Sequence, residues 1–268
     1  MEKYIKLFNT QSEYNTYING NPILPNVSFI EENGNVEYNP LIHHDYVEIG
    51  GVKWATMNIG ATAITDSGLY FQWGDTQGYT ADQVGSGEGK KYFGWADYKW
   101  SGNTSAISGM TKYQGTGTGA DGLTTLQLSD DAVNAAWGGN WRMPTTAEFA
   151  ALGAAVNSVW TADYQGTGVA GLICTDKTDS SKVLFFPAAG FCRNGSVRDV
   201  GSNGYCWSSS VGSSDVQGAY FLFFYSGYVN WQNDFYRLIG FPVRGVLVEH
   251  SFCLCAIDKT IAFFLCIH

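Results

Sequence analysis

The sequence predicts an α+β domain: irregular antiparallel strands carrying two short helices, preceded by a small N-terminal arm. Three observations point there. Aromatic residues make up 15% of the 268-residue chain and 33 positions are glycine, a composition suited to many short strands joined by tight turns. Charged residues are also 15%, against roughly 25% in ordinary soluble domains. That excludes a coiled coil or helical bundle, and the apolar content excludes intrinsic disorder. Finally, segments with strand-like alternation recur between turn signals, while two stretches read as helices, one with a capping box and one with a Gly-Gly stop.

Residues 1–45 differ in composition from the rest of the chain. They carry eight asparagines between Asn9 and Asn39 and no tryptophan, with apolar clusters at Ile23-Leu24 and Val27 to Ile30. This reads as an attachment or oligomerisation arm, or as a partly ordered leader. From Tyr46, YVEIGGVKWATMNIG alternates as a hairpin turning at Gly50-Gly51. GLYFQWGDT adds an aromatic strand, and residues 78–125 read as long Gly/Ser/Thr/Tyr loops. The first helix is expected over Asp130 to Ala136, stopped by Gly138-Gly139. The second starts at Thr145, where Pro144 precedes the cap and Glu148 completes a capping box. Strand and turn then alternate through VLFFPAAGF, GYCWSSS, AYFLFF and RLIGFPVRGV. Residues 247–268 form an apolar, Cys-rich tail that could cover a groove, mediate assembly or be read-through.

Charge and cysteine usage narrow the function. The formal net charge is −9, and Lys90-Lys91 is the sole adjacent basic pair, so nucleic acid is not an expected partner. Cys174, Cys192, Cys206, Cys253, Cys255 and Cys266 contain no CxxC, and the histidines lie near the chain ends; no zinc site or other cofactor is expected, and the thiols are read as mostly free. The N-terminus lacks the apolar run of a secretory signal. No segment matches a membrane span, because Asp258 and Lys259 interrupt the nearest candidate, Phe252 to Cys266.

YVEIGGVKWATMNIGAT, YFQWGDT, WGGNWRMPTTAEF, FFPAAGF, GYCWSSS and FPVRGV occur in that order across residues 46–246. Together they resemble the C-type-lectin-like domain of gut anaerobes and their phages, a relative of the formylglycine-generating-enzyme fold. The final third is similar to the variable proteins of diversity-generating retroelements, in which randomised adenines convert Asn codons at chosen positions. The resemblance places scaffold letters at Gly204, Tyr205, Trp207, Ser208, Ala219, Tyr220, Leu222, Phe224, Ser226, Val229, Arg237, Gly240, Phe241, Val243 and Arg244. It implies a ligand-binding set of Cys206, Phe221, Phe223, Tyr225, Gly227, Tyr228, Asn230, Trp231, Asn233, Asp234, Phe235, Tyr236 and Ile239. Within that set, Trp231 cannot arise from a plain Asn codon and ranks as scaffold or as another template codon.

The residues themselves support a surface. Residues 220–239 hold nine aromatics. In a strand, Phe221, Phe223 and Tyr225 share one face, and Tyr220, Leu222 and Phe224 the other. A sheet with one covered face buries one set; the other meets solvent, a partner subunit or a ligand, unless the strand sits inside a sandwich core. Tyr, Ser, Gly and Asn interleaved with Trp is also paratope composition.

Other chemistry is weaker. Trp231 to Asp234 is similar to the ligand strand of calcium-dependent lectins, but no partner loop supplies converging oxygens. His43-His44-Asp45 reads as a solvated junction. The enzyme relatives use paired cysteines, for which Cys192 and Cys206 are the candidates, yet Cys206 falls at a variable position. Trp137, Trp141 and Arg142 read as scaffold, with Arg142 pairing a buried carboxylate or carbonyls.

The expectation is a non-enzymatic binding protein, borne on a phage particle or at the bacterial cell surface, that meets a bacterial surface protein or glycan. The arm would attach it to the virion or to sister subunits, several copies supplying avidity. The rival is a non-diversified structural or carbohydrate-binding module of the same family.

Overall fold

A computed structural model describes residues 44–102, 109–116, 120–212 and 215–248. The arm, except for His44 and Asp45, and the tail, except for Leu247 and Val248, lie outside the described residues. Strands β1 (Tyr46–Ile49) and β2 (Val52–Asn58) form the expected hairpin. Its two connecting glycines, Gly50 and Gly51, both have positive φ, at 61° and 75°, a conformation that L side chains resist. β12 (Arg244–Leu247) pairs with β2 on one side and with the short β3 (Trp141–Arg142) on the other, giving the sheet order β1-β2-β12-β3.

Three further antiparallel sheets lie among the described residues. β4 (Val156–Thr161), β5 (Gly171–Asp176) and β6 (Val183–Pro187) form one. β7 (Phe191–Arg193) and β8 (Ser196–Arg198) form a small hairpin. β9 (Asn203–Val211), β10 (Gly218–Tyr225) and β11 (Tyr228–Tyr236) form the third, with β10 in the middle. The fold is α+β-like and mainly β. β4 (VNSVWT) and β5 (GLICTD) were not among the expected strands.

Both helices fall where the sequence places them. α1 (Ala132–Trp137) begins two residues later than expected, because Asp131 serves as its cap and accepts from the Val133 and Asn134 amides at 2.9 and 3.0 Å. α2 (Thr146–Ala155) opens with the expected capping box. Glu148 does more than cap. Its carboxylate accepts from the Thr145 amide at 2.7 Å and from both terminal nitrogens of Arg142 at 2.7 and 2.8 Å, which is the bidentate geometry that makes such pairs strong. Arg142 therefore has the scaffold role read from the sequence.

Two cores sit on opposite faces of β10. Phe221 joins Trp73, Tyr113, Trp141, Trp207 and Phe241 in one; Leu222 and Phe224 join Trp54, Phe149, Leu152 and Phe186 in the other. The described parts of the 78–125 loops supply Tyr98, Trp100, Met110 and Tyr113 to the first core, so those parts are packed structure despite having little regular secondary structure. Two fully buried arginines lock the arrangement through carbonyl acceptors. Arg237 donates to the carbonyls of Gly218, Lys112 and Tyr113 and lies over the Trp73 ring. Arg244 donates to Asn58 Oδ1, Ala55 O and Phe185 O; burial depresses its pKa to about 10, which leaves it charged at neutral pH.

Candidate functional site

The β9–β11 sheet carries an aromatic face that is closed at one end and open at the other. Register sets its rows. Phe221 lies opposite Trp207, Phe223 opposite Tyr205, and Tyr225 opposite Asn203, so these side chains share the front while Leu222, Phe224 and Cys206 share the back. At the closed end Phe221 is 3% exposed and packs against Trp207 and Phe241 at 5.6 and 4.8 Å. At the open end Tyr225 and Tyr228 stack at 5.3 Å and are 41% and 44% exposed. Phe223 spans the middle, contacting Tyr205 at 5.1 Å and Tyr225 at 5.6 Å.

The sequence offered two choices for Phe221, Phe223 and Tyr225: a bare face or a sandwich core. The structure divides the row between them. The reason is the segment around Phe241, whose ring stacks on Tyr205 at 4.7 Å and covers the Phe221 end.

A bulge shapes β11. Phe221 pairs with Asn233, but Phe223 pairs with Asn230, so β11 carries one extra residue between them. Without it, Asn230 and Asn233, three apart, would point to opposite faces; with it both take the front. The extra length also places Trp231 on the core side, against α2: a Cβ built on Gly153 would lie 2.6 Å from the Trp231 indole.

Between β11 and the β7–β8 hairpin lies a hollow of about 380 Å³. Phe221, Ile239, Phe241 and Tyr205 line it together with Phe191, Phe223 and Phe235, and its polar members are Arg193, Asp199, Asn233 and Asp234. The hairpin is held there by its turn. Asn194 and Gly195 both have positive φ, at 50° and 69°, as a tight two-residue hairpin requires. Its strand is clamped by paired Cys192–Gly240 backbone bonds of 2.8 and 2.9 Å. Arg193 reaches over the Phe235 ring, 5.9 Å from its centroid, and its Nε is buried from solvent with no hydrogen-bond acceptor among the described residues. Asp199 accepts from Asn203 Nδ2 at 3.1 Å and from the Tyr205 hydroxyl at 3.4 Å. Burial raises the Tyr205 pKa, with the nearby Asp199 carboxylate adding to the rise. The Asp234 carboxylate lies against the Gly212 backbone, where an added Cβ would meet Oδ2 at 3.0 Å.

The expected binding residues thus divide. Phe221, Phe223, Asn233, Asp234, Phe235 and Ile239 gather at the hollow. Tyr225, Gly227 and Tyr228 form the exposed hairpin end, where Gly227 takes a φ of 87° in the turn. Asn230 is half-buried on the same face. Tyr236 is half-buried against Trp95, at 5.8 Å. Cys206 and Trp231 are corrections: both face the second core, Cys206 with 2% exposure, because strand parity turns the first and the bulge turns the second. Phe191, Arg193 and Asp199 were missed. The Asn-Gly turn between alternating residues in FCRNGSVR was the available signal.

Elsewhere, His44 stacks on Trp137 at 3.7 Å and meets the edge of Trp141; it is a packed residue, not the solvated one expected. Cys192 and Cys206 are free buried thiols in different cores, with burial pushing each pKa up to about 12. They do not meet across a turn. Among the described residues no three His, Cys, Asp or Glu side chains gather as a metal site, and no helix is long and apolar enough to cross a membrane. No protein-family model matches the chain, nor does any curated protein or solved structure.

Proposed function

We propose that this chain is a non-enzymatic binding protein whose contact surface is the open front of β9–β11 together with the adjoining hollow. The observation that carries the reading is the exposure of the stacked Tyr225 and Tyr228, at 41% and 44%, at the open end of the β10–β11 hairpin, with Phe235, at 43%, at the hollow farther along the sheet. Exposed rings on a sheet are costly to leave bare and mark interaction sites. Asn230, Asn233 and Gly227 interleave with them as adaptable polar and small residues do in paratopes. The enzyme reading lacks support from its candidate thiols, which are buried and protonated at neutral pH.

The finer identity belongs to the same proposal. The scaffold is C-type-lectin-like, the surface is diversified by a retroelement, and the protein is carried on a phage particle or at the bacterial surface, where it meets a bacterial target. The sequence motifs support this, as does the placement of Phe223, Tyr225, Tyr228, Asn230, Asn233 and Phe235 on one face. Their scaffold neighbours Leu222, Phe224, Arg237 and Arg244 are buried, as an invariant frame beneath a variable surface requires.

Two experiments test it. Full-length protein carrying Tyr225→Ala and Tyr228→Ala should lose retention on a panel of gut anaerobes while keeping its unfolding midpoint. Binding indifferent to both changes would overturn the surface. The DNA flanking the coding sequence should contain a near-copy of the segment for residues 205–244 that differs at adenines, beside a reverse-transcriptase gene; no such copy would remove the diversification.

A further inference from the structure

We infer that β4 (Val156–Thr161) is the strand through which two copies of this chain associate, pairing antiparallel about a twofold axis at Val159. This goes beyond the binding-surface reading and stands independently of it. β4 is an edge of the β4-β5-β6 sheet. An open edge invites another strand unless charge, proline, a bulge or a cover blocks it. The other sheet edges among the described residues carry such blocks. β1 holds Glu48, β11 holds Asp234 and its bulge, and β3 is two residues long. β6 ends in Pro187 and gives its Phe185 carbonyl to Arg244. The β9 amides of Trp207, Ser209 and Val211 donate to carbonyls outside its sheet, and in the β7–β8 hairpin β7 is clamped to Gly240 while β8 ends in Arg198. β4 has none of these: VNSVWT is uncharged, lacks proline and runs in unbroken register with β5.

The side chains commit the edge to a second copy. On the outer face of the sheet Val159 lies opposite Ile173, and Ile173 opposite Phe185. This apolar row opens toward the edge. Phe185 is buried beneath the Tyr164 ring at 4.0 Å, Ile173 is half-buried, and Val159 is 60% exposed. Opposite residues of an antiparallel pair share a face, so a twofold at Val159 sets Val159 against its own copy and joins the two rows into one. The same axis sets Asn157 against Thr161, and exposed Ser158 against half-buried Trp160, small against large. Charge favours the same place. Each copy has a formal net charge of −9, so two copies repel, and an uncharged strand is where they meet at least cost. The pairing is isologous and uses up both edges, so it closes at a dimer.

Sedimentation velocity of the full chain tests this. Between about 1 and about 100 µM the chain should pass from monomer to dimer. Val159→Lys and Val159→Asp each place like charges face to face across the axis and should each weaken the dimer about tenfold or more. An equimolar mixture of the two variants should restore it, because the charges then oppose. In the unmodified chain, amide exchange across residues 156–161 should slow as concentration rises, a readout that needs no variant. A chain monomeric at about 100 µM overturns the inference. So does a dimer that Val159→Lys leaves intact, which would place the contact in another segment. Failure of the mixture to re-form the dimer overturns the axis at Val159, and exchange in β4 that ignores concentration overturns the strand pairing.

Discussion

The Trp231 indole fills the space that a side chain on Gly153 would need, with an added Cβ falling 2.6 Å from the ring. This contact docks α2 on the back of β11 and fixes the bulged segment whose other side presents Asn230 and Asn233. Gly153→Ala should therefore destabilise the protein by about 1–3 kcal/mol, the usual cost of overpacking, although alanine is the better helix former. Urea unfolding measures it. A Gly153→Ala/Trp231→Ala double variant should lose less than the sum of the two singles; strict additivity would refute the contact.

The front row of β10 predicts a gradient. Phe221→Ala should cost about 3–5 kcal/mol, as a buried ring does, because its exposure is 3%. Tyr225→Ala, at 41% exposure, should shift stability by about 0.5 kcal/mol or less and register in binding instead. Equal melting temperatures for the two variants would contradict the divided face.

Glu148 joins the α2 cap to Arg142. Burial works against its charge, but hydrogen bonds from Arg142 and Thr145 hold its pKa below the ordinary value. With the folded value depressed, the stabilisation is present above the unfolded pKa near 4.5 and is lost as pH falls through the folded one. Glu148→Gln should cost about 1–3 kcal/mol at neutral pH and flatten the acid limb of the stability profile below pH 5. A variant as acid-sensitive as the parent would remove Glu148 from that role.

At alkaline pH the thiols act in the opposite sense. Burial lifts Cys192 and Cys206 from near 9 to about 12, so the folded chain holds protons that the unfolded chain releases. Stability present below pH 9 should fall as pH rises beyond it, by up to about 1.4 kcal/mol per pH unit for each thiol. Arg244, depressed to about 10, opposes this only above that pH. Urea midpoints between pH 8 and 10 should decline, and less steeply in Cys206→Ala; a flat profile would show that the thiols are not buried as described.

Local elements follow from the chain alone. Gly50-Gly51, Asp131, and Thr145 with Glu148 act within a few residues of one another, so the first hairpin and both helices were legible. Strand parity also showed that the stretch from Phe221 to Tyr236 must divide its apolar side chains between two faces. Which members of that stretch reach solvent was settled by long-range packing. Phe241 comes from beyond β11 to cover Phe221; a one-residue bulge brings Asn230 and Asn233 to the same face and sends Trp231 to the core; and the β7–β8 hairpin delivers Arg193 from about forty residues upstream of Phe235. Parity along one strand is a local property, whereas cover, bulge placement and the meeting of two hairpins depend on chain segments that become neighbours only when the cores close.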